Sequence, residues 1–190
     1  MAAVARLCSK NPGKLRELRD ALPGWEIELL DADEYPPETG ETYLENARAK
    51  AEFGRTVEPN AWVIGEDSGI EVDGLDGRPG VRSARFGGDD PVGWLLTALG
   101  AIEGDGRRAR YVCELVALAP DGTERRGTGF LEGRIGREPR GSEGFGYDPI
   151  FVPAAEERTV AELGNEWKRT HSHRALAAET LRAELDERAH

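Results

Sequence analysis

Apolar positions change period along the chain in an order that predicts alternating strands and helices. Residues 3–8 form a short apolar run suited to a first strand, and the polar Ser9, Lys10 and Asn11 follow it. Asn11 has the chemistry of a helix N-cap and Pro12 that of a first helical residue, because proline's missing N–H costs nothing there. Leu15, Leu18 and Leu22 then recur at helical spacing until Pro23 and Gly24 stop the helix. A second helix is predicted near Thr42, where Thr42 and Glu45 have capping-box spacing and Leu44, Ala47 and Ala51 share one face. Trp62, Val63 and Ile64 read as a buried strand, and Ile70 and Val72, alternating with Glu71 and Asp73, as a half-exposed one. Gly65, Glu66, Asp67, Ser68 and Gly69 are expected to form an acidic turn between the two.

Residues 74–88 are rich in glycine and arginine and read as a loop, after which Asp90 and Pro91 open a third helix carrying Val92, Leu95, Leu96 and Leu99. Residues 110–119 are strand-like and end in the turn Pro120, Asp121, Gly122, with residues 127–135 pairing back. A further glycine-rich loop leads to a short strand at 150–152. Ser172 is expected to cap a final helix whose inward face includes Ala178, Leu181 and Leu185. Strands and helices alternate at both ends around a long central hairpin. The expected class is therefore α/β, a mixed twisted sheet with flanking helices.

The length of 190 residues favours one domain, or two lobes sharing a core. With 36 acidic against 25 basic side chains the net charge is −11, which argues against broad binding to nucleic acid. A small polyanion can still bind where cations are gathered locally. No apolar run approaches the roughly 18 residues of a membrane span, and the N-terminal stretch turns polar too soon for a signal peptide, so a cytoplasmic location is expected. Cys8 and Cys113 sit in apolar stretches without CxxC spacing and are expected as core thiols, not as a disulfide or a zinc site.

Several charges run against the helix dipole. Lys14 lies in the first turn of the first helix with Lys10 just before it, and His173 and Arg174 follow Ser172 directly with Lys168 upstream. Solvated cations at such ends would cost about 0.3 to 1 kcal/mol each, whereas an anionic ligand, most naturally phosphate, reconciles the pattern. No Walker loop is present, and Glu132 breaks the one partial GxGxxG that begins at Gly127. Glu66 and Asp67 end a hydrophobic strand, where open α/β sheets bind ligands, and paired carboxylates suit magnesium; a solvent-facing acidic turn is the alternative. The stretch GSEGFGYDPIF (residues 141–151) places Phe145, Tyr147 and Asp148 on a glycine-rich loop. It could stack on a base and accept hydrogen bonds from its edge, or form a hairpin with core-facing aromatics. Phosphate cations, a carboxylate pair and a base-sized aromatic loop together point to a nucleoside polyphosphate.

The same residues resemble the inosine/xanthosine triphosphate pyrophosphatases, the Ham1 or RdgB-like family of non-canonical purine nucleoside triphosphate pyrophosphatases. The resemblance runs in order through SKNPGKLRELRDAL (9–22), ETGETYLENARAKA (38–51), GEDSGIEVDGLDGRPGVRSARFGG (65–88), GFGYDPIFVP (144–153) and the block 168–175. It implies one domain over residues 1–190 with two lobes around a central substrate cleft. The implied activity is Mg2+-dependent hydrolysis of ITP, dITP and XTP between the α and β phosphates, giving a monophosphate and pyrophosphate. The implied setting is a cytoplasmic homodimer without nucleic-acid or membrane partners. Carried over by position, Asp67 is the metal-linked general base and Ser68 a substrate contact. Ser9, Lys10, Asn11, Pro12, Gly13 and Lys14 form the phosphate loop, and Lys168 reaches the phosphates from another side. Phe145, Gly146, Tyr147 and Asp148 form the base platform, while His173 and Arg174 read the 6-oxo edge. Glu38 is the expected second metal ligand, with Glu41, Glu45 and Glu66 as alternatives. Lys10 in place of a common glycine, Pro37 before Glu38 and Phe86 in place of a tyrosine depart from the family pattern. A pyrophosphatase for other nucleotides and a non-catalytic nucleotide-binding module remain the competing functions.

Overall fold

A computed structural model describes residues 3–186. The chain runs β1 (Ala3–Cys8), α1 (Pro12–Ala21), β2 (Trp25–Leu29), α2 (Tyr43–Val57), β3 (Trp62–Val72), β4 (Pro79–Gly80) and α3 (Pro91–Leu99). It continues through β5 (Arg108–Leu118), β6 (Glu124–Ile135), β7 (Phe151–Pro153), α4 (Val160–His171) and α5 (His173–Asp186). The sheet has the order β2-β1-β3-β5-β6-β7, with β4 pairing on β3. β1 is parallel to both β2 and β3, whereas β3–β4 and β6–β7 are antiparallel, so the sheet is mixed and the class is α/β. Among the described residues no helix is long and apolar enough to cross a membrane.

The chain divides into two compact units. The first takes the residues up to Asp67, then Cys113–Gly129 and those from His173 on; the second takes Ser68–Val112 and Phe130–Ser172. In the first unit, strand alternation sends neighbouring side chains into different cores. Ile64 and Leu115 pack with Leu18 of α1, Leu22 directly after it, and Ala178 and Leu181 of α5. Val63 and Val116 pack with Ala47 and Ala51 of α2. The α2 helix lies directly on the strand at Gly65, where a Cβ would stand 1.9 Å from the Ala47 carbonyl oxygen. In the second unit Ile70, Val72, Tyr111 and Phe151 pack with Leu95 and Leu99 of α3 and Val160 at the start of α4.

Local signals place three helices where the sequence does. Asn11 caps α1 by accepting from the Gly13 and Lys14 N–H groups, Thr42 and Glu45 close a capping box on α2, and Asp90 caps α3. Two expectations are corrected. The acidic turn does not form: β3 runs unbroken for 11 residues, and Glu66 and Asp67 are 1% and 3% exposed. A buried strand tolerates them because each carboxylate meets cations from the flanking helices. A helix not expected from the sequence, α4, precedes the final one and is opened by a Thr159–Glu162 capping box. Lys168 consequently lies in the last turn of α4, where the helix dipole favours a cation, and not beside a helix start. Ser172 is extended and directly precedes α5.

Candidate active site

The first unit builds its polar site from the loop after β1, the face of α2 and the middle of β3. The Ser9 hydroxyl accepts from the Asn11 N–H at 3.1 Å, and Asn11 Oδ1 accepts from Gly13 at 2.8 Å, so Ser9 to Lys14 form a loop closed by its own side chains. Lys10 arches over the Tyr35 ring, 5.1 Å from its centroid. The Tyr35 hydroxyl donates to the Leu30 carbonyl at 2.6 Å and lies 3.4 Å from that of Ser9.

Alternation along β3 sends Glu66 and Asp67 in opposite directions. Glu66 turns toward α1 and α5. Its Oε2 lies 2.6 Å from Lys14 Nζ, and its Oε1 accepts from Arg174 Nη2 at 2.9 Å; Arg174 Nη1 reaches Glu17 at 2.5 Å. Asp67 turns toward α2. Its Oδ1 accepts from Lys50 Nζ at 2.9 Å and its Oδ2 from Asn46 Nδ2 at 3.0 Å. The Lys50 ammonium also donates to the Glu66 carbonyl and stands 2.5 Å from Glu38 Oε1. Asn46 completes the set by accepting from the Gly40 N–H at 2.8 Å, which ties down the loop that carries Glu38.

These placements revise several expectations. The two adjacent carboxylates face different layers, Glu66 toward Lys14 and Arg174 and Asp67 toward Lys50 and Asn46. Glu45 is committed to the helix cap and to the Glu41 N–H, and Glu41 is exposed. Glu38 brings a carboxylate oxygen to the ammonium that holds Asp67, whereas Glu66 meets it through its main-chain carbonyl. The cationic start of α1 is answered by Glu66 from within the protein. Arg174, expected to read a base, is 1% exposed and gives its guanidinium to Glu66 and Glu17. His173 opens α5 and is buried beside it. Sequence reasoning missed Asn46 and Lys50. Their i, i+4 spacing on the capped helix, next to Ala47 and Ala51, was the available signal.

In the second unit, Ser68 follows Asp67 on β3. Asp148 Oδ2 accepts from the Phe145 N–H at 2.9 Å and from Lys168 Nζ at 2.7 Å, and Lys168 lies 4.4 Å from the Phe145 ring centroid. Phe145 is half-buried and Gly146 exposed. Tyr147, also expected in the base platform, has its ring in the core of this unit: it donates to the Ser83 carbonyl at 3.0 Å, and burial pushes its phenol up to about 12.

The sequence pattern of the Ham1 family matches residues 5–184. The chain belongs to this family. The dITP/XTP pyrophosphatase of Symbiobacterium thermophilum is 45% identical over 177 residues, covering 90% of this chain and 89% of the relative. The dITP/XTP pyrophosphatase of Bacillus subtilis is 40% identical over 188 residues, covering 93% and 94%. The solved structure of the Staphylococcus aureus Ham1 protein superposes with a TM-score of 0.84 at 35% identity, covering 97% of this chain and 98% of that one.

Electrostatics separate the two acids of this Ham1-family site. Burial alone would raise the Glu66 carboxyl, but Lys14, Arg174 and Lys50 outweigh it and hold the group well below the usual carboxylate range. Burial also raises Asp67, and there Lys50 offsets only part of the effect, so its pKa stays above the ordinary 3.8. Burial would lower Lys50, yet Asp67, Glu66 and Glu38 together raise it. The two partners differ because three acids share one ammonium: the lysine gains from all of them, while Asp67 receives a fraction of a single charge. Lys50 therefore stays an ammonium, and of the two acids Asp67 is the more basic. Cys8 and Cys113 are buried thiols, the first pushed up to about 11 and the second well above 9, chiefly by burial.

Proposed function

We propose that this chain hydrolyses non-canonical purine nucleoside triphosphates, ITP, dITP and XTP, to the nucleoside monophosphate and pyrophosphate. The observation that carries the reading is Asp67, buried on β3 with both oxygens anchored by Lys50 and Asn46 and with a pKa raised by burial. A fixed carboxylate of raised pKa suits a general base. Asp67 would take one proton from a water molecule whose oxygen bonds to the α-phosphorus, as the bond from that phosphorus to the α,β-bridging oxygen breaks and pyrophosphate leaves. Lys14, steered by Glu66, would bind the phosphates beside the Ser9–Asn11 loop. Lys168 and Phe145 are further candidate nucleotide contacts.

The donor set fits a divalent cation. Glu38 and Asp67 already converge on one positive charge, and Mg2+ is commonly held by one or two carboxylates together with substrate phosphates. Among the described residues no group of three or more His, Cys, Asp or Glu side chains is placed to hold a metal ion. When bound, Mg2+ supplies charge neutralisation on the phosphate oxygens. We also infer the homodimer and the cytoplasmic setting from the family resemblance; size-exclusion chromatography with light scattering tests the first.

The deciding assay supplies ITP and Mg2+ and identifies the products. Pyrophosphate with inosine monophosphate is expected, and release of orthophosphate would refute the reaction. Asp67→Asn should lose turnover while still binding a nonhydrolysable ITP analogue. A panel with ATP and GTP separates this reading from a pyrophosphatase of other nucleotides.

A further inference from the structure

Beneath the Phe145 loop the second unit holds a buried ion pair whose third member is not an ion. Asp148 and Lys168 are each 3% exposed, and Tyr111 of β5, 6% exposed, directs its hydroxyl to Asp148 Oδ1 at 3.2 Å. The Tyr111 ring packs on Phe151 with centroids 4.5 Å apart, a contact that phenylalanine would make equally well. The hydroxyl is thus the part of this side chain that packing does not require. It places a donor on the carboxylate oxygen opposite the one that takes Lys168 Nζ and the Phe145 N–H.

That division matters when Lys168 changes partner. An ammonium that turns to an anionic oxygen of a nucleotide gives up or shares its bond to Asp148, and a buried carboxylate that loses its cation is strongly destabilised. Donors retained on both oxygens reduce that cost and keep Asp148, and through it the Phe145 N–H, in place. We propose that Tyr111 is a positioning residue for nucleotide binding, its hydroxyl holding Asp148 while Lys168 passes from the carboxylate to the triphosphate. This rests on the reading of Lys168 as a nucleotide ligand.

The test is a double-mutant cycle of Tyr111→Phe and Lys168→Ala, with α,β-methylene-ITP as the titrated probe and the melting temperature of each variant as control. Lys168→Ala alone should weaken the probe; unchanged affinity would remove Lys168 as a ligand and the proposal with it. Tyr111→Phe alone should weaken the probe about tenfold, the value of one hydrogen bond to a charged group, with kcat for ITP less affected than KM. In the Lys168→Ala background the same substitution should change affinity less than about twofold, because no lysine is left to transfer. Equal weakening in both backgrounds would make Tyr111 merely structural, and no weakening in the parent would make its hydroxyl dispensable. Either result overturns the proposal while leaving the Lys168 reading intact.

Discussion

Substituting Gly65 by alanine probes how the α2–β3 contact sets the geometry of Asp67. The added methyl would lie 1.9 Å from the Ala47 carbonyl oxygen and 2.6 Å from the Ala51 nitrogen, both main-chain atoms of α2 with no rotamer to yield. The first distance is roughly 1.5 Å shorter than non-bonded atoms tolerate, so the helix must retreat. Overpacking of this kind costs about 1 to 3 kcal/mol. For a chain of this length, 2 kcal/mol lowers Tm by about 4 to 8 °C. Asn46 and Lys50 ride on the displaced turns, and both hold Asp67. A misplacement near 1 Å at a catalytic group can cost on the order of 100-fold in rate. The expected result is a folded variant whose kcat/KM for ITP falls about 100-fold, measured by pyrophosphate release. Gly74→Ala is the control: its methyl would meet the Gly106 carbonyl oxygen at 2.5 Å, a less severe main-chain clash but still far inside van der Waals contact, and one made away from Asn46, Lys50 and Asp67. If Gly65→Ala keeps full activity in a folded protein, or if Gly74→Ala loses as much, the coupling between α2 and Asp67 is refuted.

Three further outcomes follow from the same charges. Lys50→Met removes the cation shared by Asp67 and Glu38, so binding of Mg2+-ITP and turnover should both fall, and breaking a buried pair of this kind should cost about 3 to 5 kcal/mol in thermal or denaturant unfolding. Turnover should decline on acidification as Asp67 takes up a proton at a pKa above 3.8, because the base works only when ionised; a pH–rate profile without a limb attributable to Asp67 would contradict that role. The Glu66 carboxyl is held below its unfolded value near 4.5, so its stabilisation is complete above that pH and is lost as pH falls through the lower folded value. The stability gap between the parent and Glu66→Gln should therefore narrow at acid pH, and a gap that widens would reverse the assignment.

What the sequence revealed was what local chemistry writes. Asn11 with Pro12, Thr42 with Glu45 and Asp90 with Pro91 announce helix starts within four residues, and all three helices begin there. The α4 helix was hidden because Gly164, with φ +86°, interrupts the helical path four residues into it, although the Thr159–Glu162 box was readable. β3 was misread because its Gly65 to Gly69 stretch has the composition of a turn. What keeps it a strand is distant: Arg174 stands 108 positions from Glu66 in sequence, and Lys14 and Lys50 come from two other helices. The role of Lys50 is hard to read for a related reason: its i, i+4 spacing with Asn46 places the two on one helix face but does not name the carboxylates they meet.

The pair Glu66–Asp67 shows why the spacing of two acids underdetermines their chemistry. Adjacent on a strand, they face opposite layers, so their separate surroundings weigh more than their mutual repulsion in setting their protonation. On one side Lys14 and Arg174, with Lys50 beyond them, outweigh burial and leave Glu66 a fixed anion that orients Lys14. On the other, a single ammonium is divided among Asp67, Glu38 and a main-chain carbonyl, so burial prevails and Asp67 keeps affinity for a proton. Divergent environments of this kind assign different roles to like groups. An exchange of cations would test the logic directly: weakening the Lys14 and Arg174 side should raise Glu66 without making it a base, because it would still face α1 and α5 while the Glu38 carboxylate lies with Asp67 on the α2 side.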